Sequence, residues 1–155
     1  MKLYLVQHAE ARSKQEDPER PLSDKGKADI QKVAAYAAAH TSGPVDQIIH
    51  SGKTRAKQSA EVLATALSPV EGVGESPDLA PLAEPDIWAS RLSVERKKLM
   101  LVGHLPHLSK LAALLVCQEQ ENRVVRFQMA GVVCLVQDEA GDWSLDWIVT
   151  PEIVA

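Results

Sequence analysis

Short blocks of continuous apolar residues alternate with longer amphipathic ones along this chain. Lys2–Val6 is brief, apolar and β-prone, as a buried strand should be. Residues 10–22 are polar and end in Glu19-Arg20-Pro21-Leu22, a loop, and Ser23 then suits a helix N-cap. From Asp24 to His40 small apolar groups (Ala28, Val33, Ala34, Ala37) fall on one face, and Ser42-Gly43-Pro44 stops that helix. Val45–His50 reads as a second strand. A helix over about 53–67 follows, its inner face Val62, Leu63, Ala66 and Leu67 and its cap Ser51. Residues 68–86 are Pro- and Gly-rich loop with a short strand near 70–75, and 86–97 forms a short charged helix whose 91–98 end faces solvent. Lys98–Val102 is the third clear strand. Pro106 then fits a first helical turn, with Leu108, Leu111, Ala112 and Leu115 as the apolar stripe. Two closing strands, near 131–137 and 143–149, flank the turn Asp138–Asp142.

Strands alternating with helices predict an α/β fold: a three-layer sandwich with a mostly parallel central sheet, and one antiparallel edge where the terminal hairpin joins. At 155 residues, with no repeat or low-complexity stretch, the chain reads as a single domain over 1–155.

Composition narrows the function classes. The hydrophobic share is 45% with only 4% aromatic residues, so the core must be mostly Leu, Val, Ile and Ala. Seventeen Lys and Arg against 21 Asp and Glu leave a formal charge of −4, and no basic run exists to track nucleic acid. No apolar stretch approaches the roughly 20 residues of a membrane span, and the N-terminus reads as a strand rather than a signal peptide. Cys117 and Cys134 form no C-x-x-C pair. Reduced thiols and a cytoplasmic location are the simplest expectation.

The chemistry gathers at three equivalent places. His8 follows the first strand, Arg55 lies in the first helical turn after the second, and His104 follows the 98–102 strand. Ends of parallel strands share one edge, where ligands bind, and helix N-termini beside it expose N–H groups that favour anions. The layout predicts a pocket with two imidazoles, a guanidinium and free amide donors, which suits phosphate. His50 and His107 lie nearer this crevice than His40 does. They invite a metal reading, but the paired spacing anchored by carboxylates that a metal site uses is missing. No metal or other cofactor is expected.

These residues carry a resemblance. Leu5-Val6-Gln7-His8-Ala9-Glu10 resembles the Arg-His-Gly-Glu signature of the histidine phosphatase (phosphoglycerate mutase-like) superfamily. The segment Ser51 to Ser59 resembles its Ser-x-x-x-Arg-Ala-x-Gln-Thr motif, Val102-Gly103-His104 its third motif, and Arg20–Gly26 its Arg-Pro-Leu-Thr-x-x-Gly segment. Length and His104-Leu105-Pro106 resemble the SixA-like phosphohistidine phosphatase branch most. The resemblance implies a phosphoglycerate mutase-like fold and a metal-independent phosphatase in which His8 is the nucleophile and forms a phosphohistidine intermediate. His104 would hydrogen-bond the transferring phosphoryl oxygens and Arg55 would clamp them, with Arg20, Gln7 and Ser51 as further substrate contacts. A general acid would come from the region after the second helix, where Asp78, Glu84 and Asp86 stand, with Glu84 or Asp86 the candidates. The substrate would be phosphohistidine on a protein, such as a phosphohistidine-bearing signalling domain, or a small phosphoester or phosphoramidate. Gln7 stands where the pattern has Arg, exchanging a permanent two-pronged charge for a neutral amide. The alternative reading is therefore a phosphate- or phosphoprotein-binding module with weak or no turnover. Ala9 replaces the pattern's Gly, which an ordinary backbone at that position would tolerate.

Overall fold

A computed structural model describes residues 1–154. Six strands and four α-helices follow one another as β1 (Lys2–Gln7), α1 (Asp24–His40), β2 (Gln47–His50), α2 (Thr54–Leu67), β3 (Val73–Glu75), α3 (Pro85–Val94), β4 (Leu99–Gly103), α4 (His107–Cys117), β5 (Val132–Gln137) and β6 (Trp143–Val149). The sheet order is β3-β2-β4-β1-β5-β6. The pairs β1–β4, β2–β4 and β2–β3 are parallel, and β5 and β6 form the antiparallel edge.

Alternation along the central strands divides the core. Tyr4, Val6, Ile48, Met100, Val102, Val132 and Cys134 face α1 and α2. Leu3, Leu5, Leu99, Leu101, Val133 and Leu135 face α3 and α4. A strand buried on both faces needs apolar residues at every position, which is why β1 and β4 read as unbroken runs. Small alanines lie on the buried faces of both helices: Val33, Ala34 and Ala37 from α1 are buried, as are Ala56, Ser59, Ala60 and Leu63 from α2.

Four local expectations are corrected. Ile30, not Ala28, completes the buried face of α1; Ala28 is exposed. In α3 the helix ends at Val94, because Lys98 N–H and carbonyl bond Asp46 and draw the chain into β4, so 95–98 is not helical. The N-cap of α2 is Lys53, and its Ser51 hydroxyl is engaged elsewhere. At α4, Pro106 is the N-cap residue rather than a first-turn residue.

One close approach fixes the loop that leads from β1 to α1. A Cβ placed on Gly26 would lie 2.0 Å from the Glu10 carbonyl oxygen. Ser23 holds the same place: its Oγ donates to Glu10 Oε1 at 2.8 Å, its N–H donates to the Glu10 carbonyl at 2.9 Å, and it caps α1 by accepting from Gly26 N–H at 3.0 Å. Gly26→Ala forces α1 and the loop apart. Urea denaturation should give a loss of about 1–3 kcal/mol or more, the usual range for overpacking; a stability within error of wild type would show that the loop yields instead.

Candidate active site

The register of the central sheet brings the two candidate imidazoles together. Gln7 pairs with Gly103 across β1 and β4, and His8 N–H extends the ladder by donating to the Gly103 carbonyl at 3.0 Å. His8 and His104 therefore leave adjacent strand ends at the same level, with ring centroids 4.9 Å apart. Both are buried, with only 8% of His8 and 2% of His104 exposed.

His8 Nδ1 lies 2.7 Å from the Ala9 carbonyl oxygen. A carbonyl can only accept, so Nδ1 carries the proton and Nε2 keeps its lone pair. Burial pushes the ring's pKa down to about 4; the Ala9 carbonyl works in the opposite direction, and the charges of Arg55 and Arg20 add to the lowering. His8 is therefore a neutral imidazole with one fixed nucleophilic nitrogen at neutral pH. Ala9 keeps a negative φ and so meets the condition its methyl set. Its N–H donates to Ser59 Oγ at 2.9 Å, and Ser59 in turn donates to the Arg55 carbonyl at 2.7 Å.

Ser51 Oγ lies 2.6 Å from His104 Nε2 and accepts the Lys53 N–H at 3.3 Å. The Ser51 hydroxyl has one hydrogen and two lone pairs, so it can donate to Nε2 or accept from it; the other ring nitrogen, Nδ1, is buried and has no protein partner. Burial, then the neighbouring His8, Arg55, Lys53 and His107, push His104 down to about 3.

Arg55 sits in the first turn of α2 with its Nε buried and unpartnered. Burial and the nearby Arg20 charge both lower its pKa. Arg20 stands at φ 49°, an uncommon conformation for a side-chain-bearing residue. Its Nε donates to the Arg12 carbonyl at 3.1 Å. Neither guanidinium has a carboxylate partner among the described residues. Both line an open groove of about 660 Å³ together with Lys14, Lys53, Glu19 and Leu82. Neither His8 nor His104 lines this groove, but the charges of Arg55 and Arg20 act on His8 and that of Arg55 on His104, an arrangement chemically suited to a tetrahedral anion.

Gln7 opens the other way, into a cavity of about 510 Å³ with Leu105 and Arg126, and its Oε1 is buried without a partner. The candidate acids stand apart. Glu84 is the N-cap of α3, Asp86 accepts from Gln120 at 3.3 Å, and Asp78 is ion-paired to Arg91 at 2.6 Å. None of the three lines the groove. His50 Nδ1 accepts the Gly52 N–H, and among the described residues no three His, Cys, Asp or Glu side chains gather to hold a metal ion. No helix among them is long and apolar enough to cross a membrane.

Three residues escaped sequence reasoning as site-builders. Ser59 ties the peptide after His8 to α2. Gln58 Oε1 accepts the Leu22 N–H at 2.8 Å and ties the Arg20 loop to the same helix. Lys53 joins the groove. The signal was available: Gln58 and Ser59 lie three and four residues after Arg55, on its side of the helix.

Residues 3–81 match the family model of the histidine phosphatase superfamily (branch 1). Among solved structures, the protein histidine phosphatase SixA complexed with tungstate has the same fold, with a TM-score of 0.84, 19% identity and 97% of each chain covered. The alpha-ribazole phosphatase from Shigella flexneri superposes with a TM-score of 0.78 at 16% identity, again over 97% of each chain. No curated protein matches the sequence.

A stability test follows from the buried imidazoles. His107, wholly buried with no partner on either nitrogen, is pushed down to about 4 by burial, as His8 is. The unfolded chain takes up these protons near pH 6.5 and the folded chain only near 4, so folding stability is full above about 6.5 and declines as pH falls toward 4. Each group contributes a slope of roughly 1.4 kcal/mol per pH unit in that window. Urea midpoints at pH 7.5 and 5 should show His107→Leu losing less stability on acidification than wild type. Equal losses would mean that His107 does not titrate on unfolding as described.

Proposed function

The chain belongs to the histidine phosphatase superfamily, and on that premise we propose that it is a phosphatase that takes the phosphoryl group onto His8, with phosphohistidine on a protein as the favoured substrate. The observation that carries this reading is the pair of buried, neutral imidazoles 4.9 Å apart, one with its Nε2 lone pair fixed by the Ala9 carbonyl, beside two guanidiniums without carboxylate partners.

In the proposed reaction the His8 Nε2 lone pair forms a bond to phosphorus while the bond from phosphorus to the leaving nitrogen or oxygen breaks. Arg55 and Arg20 take up charge on the equatorial oxygens, and the His104 Nδ1–H donates to one of them. For that donation Ser51 gives its hydroxyl hydrogen to His104 Nε2, so that the ring proton is on Nδ1. Water then attacks phosphorus, the P–Nε2 bond breaks, and inorganic phosphate leaves with His8 restored. Most of the acceleration in such a transfer comes from positioning and charge stabilisation. A phosphoramidate suits a groove that none of the three candidate acids lines, because a protonated imidazole departs without a separate acid. Glu84 and Asp86 would serve as acids only for a substrate that brings its leaving oxygen toward α3. The groove is open, which supports access by a protein side chain.

The test is labelling. Incubated with radiolabelled phosphoramidate and quenched in base, the wild type should carry acid-labile, base-stable label, and His8→Ala should carry none and lose turnover. Arg55→Ala should lower kcat/KM by roughly ten- to hundredfold, the equivalent of one charge-assisted contact. Tungstate binding without label or turnover in the wild type would overturn the enzymatic reading in favour of a binding module.

A further inference from the structure

We propose that Lys53 is a catalytic residue that contacts the phosphoryl oxygens, supplying a positive charge that β1 does not bring because its last residue, Gln7, is neutral. This rests on the reading of the site as a phosphoryl-transfer centre.

Three observations place Lys53 there. It is the N-cap of α2, two residues before Arg55, and lines the same groove as Arg55 and Arg20. Its backbone is locked to the imidazole pair: its N–H donates to Ser51 Oγ, which bonds His104 Nε2 at 2.6 Å, and its carbonyl accepts from Ala56 and Lys57 N–H. Its ammonium has no carboxylate partner among the described residues, whereas Lys2, Lys25 and Lys97 each hold one. Glu19 is the one carboxylate lining the groove. The Lys53 charge is also among the causes that depress His104.

β1 brings no such charge: Gln7, which pairs with Gly103 just before the two imidazole-bearing residues, opens into a separate cavity with Leu105 and Arg126, and its buried carboxamide oxygen has no partner. A carboxamide brings no net charge to an anion whose negative charge spreads over three oxygens in the transition state. A lysine is a compact charge on a flexible stem and can follow those oxygens from a backbone anchor beside Arg55.

The experiment measures both turnover of phosphoramidate and binding of tungstate, for wild type, Lys53→Met, Lys53→Arg and Lys57→Met. Lys57 carries the same charge one turn along α2 and does not line the groove. Lys53→Met should lower kcat and kcat/KM together by about ten- to hundredfold, with Lys53→Arg retaining most of the activity and Lys57→Met unchanged. Unchanged kcat in Lys53→Met or an equal fall in Lys57→Met would overturn the assignment. If the wild type proves inert, the phosphatase reading fails by itself and tungstate decides the question: binding at least tenfold weaker in Lys53→Met supports the contact, and equal binding overturns it.

Discussion

The parallel pairing of β1 with β4 is the constraint on which the site depends. Neither His8 nor His104 is special by its own segment: each follows a short apolar strand at a loop entrance. The register that aligns Gln7 with Gly103, extended by His8 N–H to the Gly103 carbonyl, turns them into neighbours. Both strands are buried on both faces, so a slip of one residue would move Tyr4 and Val6 into the layer of Leu3 and Leu5 and disturb both halves of the core. The hydrophobic packing that holds the sheet therefore also fixes the spacing of the chemistry.

Around that pair the second helix acts as the organiser. Arg55 faces the groove, Ser59 holds the peptide after His8, Gln58 holds the loop that carries Arg20, and Lys53 opens the helix at the groove's wall. One rigid element thus sets the relative positions of groups from three loops, and a small domain obtains a preorganised site with no further layer to support it. Burial and charge then act in the same direction. Removal from water and adjacent guanidiniums both oppose protonation of His8, so a neutral imidazole and a cationic groove coexist at one pH.

Much of this was legible in the chain. Unbroken apolar runs marked the doubly covered strands, Ser23 marked the start of α1, and the recurrence of His8, Arg55 and His104 after successive strands marked the shared edge. What stayed hidden was set by tertiary contacts. Ser51 looks like a cap to any local rule, yet a histidine from a distant segment claims its hydroxyl. Ala28 and Ile30 both suit a helix face, and only the direction from which β1 and α2 approach decides between them. The end of α3 at Val94 depends on Asp46, far away in the chain. Gln58 and Ser59 were visible as motif letters, but their tethering roles require the positions of the Leu22 and Ala9 amides.

The uncompensated proximity of Arg20 and Arg55 has a consequence for the protein's working conditions. If the proposed transfer takes place here, a groove whose own cations repel one another gains by taking up any tetrahedral oxyanion, the reaction's own end product included. Inorganic phosphate released by each cycle would thus compete for the cradle it has just left. Throughput would then follow the ambient phosphate level, rising when that pool is depleted and self-limiting when it is full.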